Sequence, residues 1–268
     1  MAAAFLMAAV PTATAGPAGR ADAVVDPAGV IQRQLVPGQG VKIVERWGSR
    51  SPDGSWSFTD PVRGVVGFGK GTIVATDVKD PNVAIAGTRK ICIGKREYES
   101  YVKPDPDEPL PPGKTWVTFE WPCQLFLKAG PHLSLTEAAN LRAVLATTER
   151  KRPAGIYDGV RTTLYEGTIT FAQLHKANPD MRIGYHRRPP TGKYAGWKVS
   201  WRLWIGGDQL VRRAWSSWRE LNDGPGRSAG DASYEVHSKE LRLSDWGMKV
   251  HIKPPPAEQT VESEEWHR

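Results

Sequence analysis

Residues 197–218 read WKVSWRLWIGGDQLVRRAWSSW, and this stretch decides the fold. Trp197, Val199, Trp201, Leu203 and Ile205 recur at every second position, with Lys198, Ser200 and Arg202 between them. A side-chain period of two belongs to a strand with one buried face. Gly206-Gly207-Asp208 tolerates positive φ and lets the chain reverse, and residues 209–218 read as the returning strand with a less regular alternation. Five of the eleven tryptophans fall here, so the hairpin needs a sheet beside it and a layer over its apolar face. The functional question is whether protein alone covers that face, or protein and a ligand.

The same grammar extends outward. Residues 41–47, 56–59, 62–68, 72–76, 89–93, 98–102 and 115–121 form short strand patterns separated by Gly, Pro, Asp and Asn. Ile91 alternates with Ile93, and Val117 with Phe119 and Trp121. Beyond the middle, Thr163, Tyr165, Gly167, Ile169 and Phe171 mark a long strand, residues 181–186 another with Ile183 and Tyr185 on one side, and residues 234–243 and 248–253 two more. Two helices interrupt the strands. A short one begins at Asp26-Pro27, with Asp as N-cap and Pro in the first turn. The second follows Ser134-Leu135-Thr136-Glu137, a capping-box pattern, and spans 136–150 with Leu141 and Leu145 on its apolar face; Glu149 to Arg152 complete its last turn and Pro153 stops it. Residues 104–113, PDPDEPLPPG, are a surface loop.

Length and composition allow one substantial β-rich domain: 268 residues with 27 Gly and 22 Pro. The expected layout is a leader over 1–23, a domain over 26–255 and a frayed acidic tail over 256–268. Residues 2–10 resemble the apolar core of an export signal, with small-x-small patterns at Ala13-Thr14-Ala15 and Ala21-Asp22-Ala23. No cysteine lies near them to take a lipid anchor. In an exported protein Cys92 and Cys123 suit one disulfide, adding about 3–4 kcal/mol by loop entropy; two buried thiols are the alternative.

Catalytic motifs are missing. The six histidines are scattered, with no H-E-x-x-H, no G-x-S-x-G and no metal-binding cysteine cluster, so neither a catalytic site, a metal nor a cofactor is expected. Gly67, Gly69 and Gly71 precede no helix and make no phosphate loop. The net charge of +7 permits anionic partners. Nine Lys and Arg against one acid between Arg182 and Arg219, interleaved with aromatics, allow contact with an anionic membrane surface. A nucleic-acid surface is disfavoured for an exported chain, and no oligomer is signalled.

In its second half the chain carries Tyr165-x-Gly167-x-Ile169, then Leu203-Trp204-Ile205 leading through Gly/Asp to Leu210-Val211-Arg212-Arg213, then Leu243-Ser244-Asp245-Trp246-Gly247-x-x-Val250-x-Ile252. This order resembles the LppX/LprAFG lipoproteins of the LolA-like lipoprotein-carrier superfamily. The resemblance implies an α+β fold: a single curved antiparallel β-sheet, a half-barrel, with a few helices packed on its concave side. It also implies a cavity between sheet and helices for lipid or acyl chains, in a carrier that is not an enzyme. The candidate lining residues are the alternating apolar positions: Phe68, Ile91, Ile93, Val117, Phe119, Trp121, Leu141, Leu145, Tyr165, Ile169, Phe171, Ile183, Tyr185, Val199, Trp201 and Leu203. A regulatory envelope sensor of the same fold, or a secreted hydrolase with no visible motif, are the alternatives.

Overall fold

A computed structural model describes residues 26–51, 53–82, 89–100, 109–120, 127–223 and 233–266. The elements run α1 (Pro27–Gln34), β1 (Gln39–Arg50), β2 (Trp56–Phe58), β3 (Val62–Phe68), β4 (Ile73–Lys79), β5 (Arg89–Ile93), β6 (Arg96–Ser100) and β7 (Trp116–Phe119). They continue with α2 (Ala138–Leu145), β8 (Thr148–Tyr157), β9 (Val160–Thr170), α3 (Phe171–Ala177), β10 (Lys198–Gly206), β11 (Val211–Asn222), β12 (Ser233–Lys249), β13 (Thr260–Glu262) and α4 (Ser263–Trp266).

All thirteen strands belong to one sheet, in the order β13-β7-β6-β5-β4-β3-β1-β12-β11-β10-β9-β8, with β2 also paired to β1. The pairing is antiparallel except between β13 and β7. An open sheet this wide curls through the accumulated twist of its strands, giving the expected half-barrel with helices on one side. Its seam is β1 against β12, paired from Gln39↔Lys249 to Arg50↔Val236 with one register shift between Gly40 and Lys42.

The Trp hairpin forms β10 and β11. Val199, Trp201, Leu203 and Ile205 face the helices, as the alternation requires, and all are buried. The less regular return has a physical cause: the register slips between Trp204 and Ile205, so Ile205 meets Val211 after Trp204 has met Arg213. On the other face the Arg213 guanidinium lies 4.4 Å from the Trp204 ring centroid and the Arg202 guanidinium 4.9 Å from that of Trp215. The cations between the tryptophans thus cover aromatic surface that faces away from the core.

Five expectations need correcting. The helix over 136–150 ends at Leu145, and residues 149–152 belong to β8, where Thr168 Oγ1 donates to Glu149 Oε1 at 2.6 Å. Strand β9 would otherwise expose a full row of unpaired backbone groups, and β8 caps it; Arg150, Lys151, Arg152 and Pro153 suit an edge strand. Residues 181–186 make a turn closed by the Ile183–Arg188 bridge, not a strand. The two strands expected over 234–253 are one, β12. In the acidic tail, Thr260–Glu262 form β13, with Val261 buried opposite Val117. The capping box is found at α3, where Thr170 and Gln173 cap reciprocally, and not at α2, where Ser134 Oγ only accepts from Glu137 N.

Cys92 is buried in β5 and is not a free thiol. Cys123, Trp121, the leader 1–23 and most of the loop 104–113 lie outside the described residues.

Candidate functional site

The helix-covered face divides into a filled half and an open half. In the filled half, α1, α2 and α3 pack over β1 and β9–β12. The segment 127–135 packs with them on the sheet, and its Leu127, Ala129, Leu133 and Leu135 are wholly buried. Ser216 Oγ of β11 donates to Ala129 O at 2.6 Å, fixing this segment on the sheet. At Gly130 the backbone has φ +79 and a Cβ would come within 2.5 Å of the Trp218 ring, so only glycine lets the segment lie this close. His132 follows, its ring 4.7 Å from that of Phe171 and 6.2 Å from that of Trp218. Burial pushes the His132 pKa down to about 3, with Lys128 adding repulsion.

The candidate residues meet here. Leu141, Ile169, Phe171, Ile183, Val199, Trp201 and Leu203 join the buried cluster, with Tyr165 and Leu145 half-buried at its border. Phe68 joins it from β3 and packs 6.0 Å from Trp246. They pack there with Leu127, Ala129, Leu133 and Leu135 of the segment 127–135 in one buried cluster. Among the described candidates Trp201 borders a hollow shared with Glu166, Arg202 and Trp215. Tyr185 is exposed and lies against His186.

The register separates the remaining candidates. Val66 pairs with Thr76, Thr76 with Cys92, and Cys92 with Glu97, so these share the helix-covered face. Val117 and Phe119 pair with Glu99 and Glu97 and belong to that face too. Ile91 and Ile93, one residue out of phase with Cys92, lie on the opposite face, which corrects their placement among lining residues.

The open half lies over β1 and β3–β6. A cavity of about 260 Å³ is lined by Glu45, Trp47, Thr59, Val62, Thr76, Val78, Asp80, Asn82, Lys90, Cys92, Glu97 and Lys239. Val62 and Val78 form the apolar middle, with charged groups at either side. On one side Glu45 Oε1 lies 2.8 Å from Lys239 Nζ and accepts from Trp47 Nε1–H, also at 2.8 Å. The Lys239 ammonium is 4.7 Å from the Trp47 ring centroid. On the other side Lys90 Nζ lies 2.6 Å from Glu99 Oε1. Burial drives the Lys239 pKa down, the attraction of Glu45 opposing it. Burial, then a hydrogen bond from Glu99, holds the Glu97 carboxyl above its ordinary range.

A second hollow of about 250 Å³ shares Trp47 and Thr59 with the first and adds Gly48, Ser49, Phe58 and His237. The half-exposed Phe58 stacks on Trp56 with centroids 6.0 Å apart. Gly48 makes room for it, because a Cβ there would lie 2.7 Å from the Phe58 ring. The groove therefore has an aromatic mouth, an apolar middle and charged sides.

Reading by apolar parity missed Glu45, Trp47, Lys90, Glu97 and Lys239. The signal was present: in β1 Glu45 falls on the parity of Val41, Ile43 and Trp47, and in β12 Lys239 falls on that of Leu241 and Leu243. An acid and a base on the buried parity of two strands indicate a pair facing inward.

No family model and no curated protein matches the chain. Solved structures do, and they include the family that the sequence resemblance names. LprF from Mycobacterium bovis is 16% identical, covers 87% of this chain and 100% of its own, with a TM-score of 0.43. The lipoprotein LppX from Mycobacterium tuberculosis is 14% identical over 85% of this chain and 100% of its own, with a TM-score of 0.39. A LolA superfamily protein from Nitrosomonas europaea is 14% identical over 87% of this chain and 96% of its own, with a TM-score of 0.26.

Proposed function

We propose that this protein is an exported, non-enzymatic binder of lipids or acylated proteins, and that the open groove of the half-barrel is where it engages them. The observation that supports this reading most directly is the groove at Trp47, Val62 and Val78. Apolar wall lies next to paired charges there, beneath an aromatic mouth. A surface of this kind takes an amphiphile without any reactive group. Among the described residues no cluster of His, Cys, Asp or Glu could hold a metal ion, and no helix is long and apolar enough to cross a membrane. The leader 1–23 directs export in this reading, and a domain beginning at residue 26 is the binder.

The candidate residues under α2 take part only if the segment 127–135 moves off the sheet, which a ligand does by preferring the displaced state. Native mass spectrometry of protein extracted mildly from its source is expected to show about one bound amphiphile, and fluorescent fatty-acyl probes are expected to be taken up. A chain that arrives empty and takes up no probe refutes the carrier reading. The filled half supports a second reading, a sensor that binds a protein partner through the same groove. A stoichiometric partner in a pull-down, with the groove free of lipid, selects it.

Cys92 is joined in this proposal to Cys123, the other cysteine of the sequence, which suits an oxidising compartment. Closing a loop of about 30 residues restricts the unfolded chain by about 3–4 kcal/mol, so Cys123→Ser is expected to lower unfolding stability by about that amount. A non-reduced peptide map in which the two cysteines run separately overturns the bridge.

A further inference from the structure

The charged groups lining the 260 Å³ groove are unequally matched. Both lysines already have partners, Lys239 on Glu45 and Lys90 on Glu99. The acids are in excess: Glu45, Asp80 and Glu97 line the same space, and Asp80 and Glu97 make no ion pair with any described residue. Asp80 only accepts from Asn82, at 3.0 Å from its backbone and side-chain nitrogens. Glu45 is 4% exposed, and while its Oε1 accepts twice, its Oε2 is buried with no partner. A carboxylate oxygen withdrawn from water with nothing donating to it is costly, and each such oxygen calls for an explanation.

We propose that the groove binds the ammonium end of an alkylammonium amphiphile, with Glu45 Oε2 and the Glu97 carboxylate receiving its N–H donors and the alkyl chain lying along Val62 and Val78 under Trp47. This rests on the binding reading above and specifies its ligand. A cation suits the site better than a neutral hydroxyl or a phosphate. It supplies the donor that Glu45 Oε2 lacks and adds positive charge beside Asp80 and Glu97, which share the distant attraction of Lys90 without an ion pair of their own. A phosphate would meet three carboxylates and two lysines that are already paired.

The test uses two probes of equal chain length, n-octylamine and n-octanol, titrated at neutral pH into the full chain and followed by ¹H–¹⁵N NMR at the Trp47 indole. Octylamine is expected to bind about tenfold more tightly than octanol, since one charge-assisted contact separates them. Glu97→Gln is expected to reduce that preference to about two- or threefold. Glu45→Gln is expected to act in the same direction; if it fails to fold because Lys239 loses its partner, Glu97→Gln decides alone. Equal binding of the two probes, or an octylamine preference untouched by Glu97→Gln, overturns the ammonium assignment while the lipid-binding reading stands. Binding of neither probe at Trp47 overturns both.

Discussion

Replacing Trp201 by Ala is expected to cost about 3–5 kcal/mol of unfolding stability, the range for removing a wholly buried aromatic side chain. Trp201 is 1% exposed at the centre of the filled half. Its Nε1–H donates to Thr147 Oγ1 at 3.1 Å, which ties β10 to the residues leaving α2. The alanine variant loses the indole area, opens a void beside α2, and leaves the Thr147 hydroxyl with only its bond to Val144 O. Trp201→Phe keeps most of the area and is expected to lose less. Urea unfolding with the slope m held constant measures both. A loss under about 1 kcal/mol for the alanine variant would mean that the space beneath α2 is looser than this packing describes.

The second large effect is acid sensitivity. His132 is held neutral by burial, with its folded pKa lowered from 6.5 to about 3. The unfolded chain takes up a proton near pH 6.5 that the folded chain refuses. Stability attributable to this residue is therefore fully present above pH 6.5 and is lost as the pH falls towards 3. A gap of about three and a half units corresponds to about 5 kcal/mol over that window. His132→Phe keeps an aromatic ring against Phe171 and Trp218 and removes the proton. Its stability is expected to be nearly level between pH 6.5 and 4 apart from carboxylate contributions, while the parent loses several kcal/mol over that range. Parallel pH profiles for the two proteins would show that His132 is not the acid-labile group.

The strands β3 and β5 lie where Val62, Val66, Phe68 and the Ile91/Ile93 pattern indicated, because a half-buried strand writes its period into its own residues. Strands β8 and β13 left no such mark. Thr148–Tyr157 is almost wholly exposed and is a strand because β9 needs a partner, a cause that lies in another part of the chain. β13 is three residues long, too short for any period to show. The site followed the same division. Alternation identified the apolar residues of the core, and the tertiary fold decided that the segment 127–135 would cover them. It could not say which face Ile91 would take, since a strand buried on both sides looks alike from either. The groove was recorded in Glu45 and Lys239, two charges out of place on apolar parity, whose meaning depended on β1 and β12 becoming neighbours.

That neighbourhood constrains how the molecule is made. Gln39 meets Lys249 and Arg50 meets Val236, so the central pairing joins positions about two hundred residues apart in sequence. A nascent chain leaving the ribosome carries β1 long before its partner exists, and for most of synthesis that strand is paired along one edge, with β2 and β3, and bare along the other. The hairpins on either side are local and can form early, whereas the closing of the two halves upon each other waits for the last fifth of translation. Until then the unpaired edge of β1 invites mispairing, which an export route that passes the polypeptide unfolded would avoid.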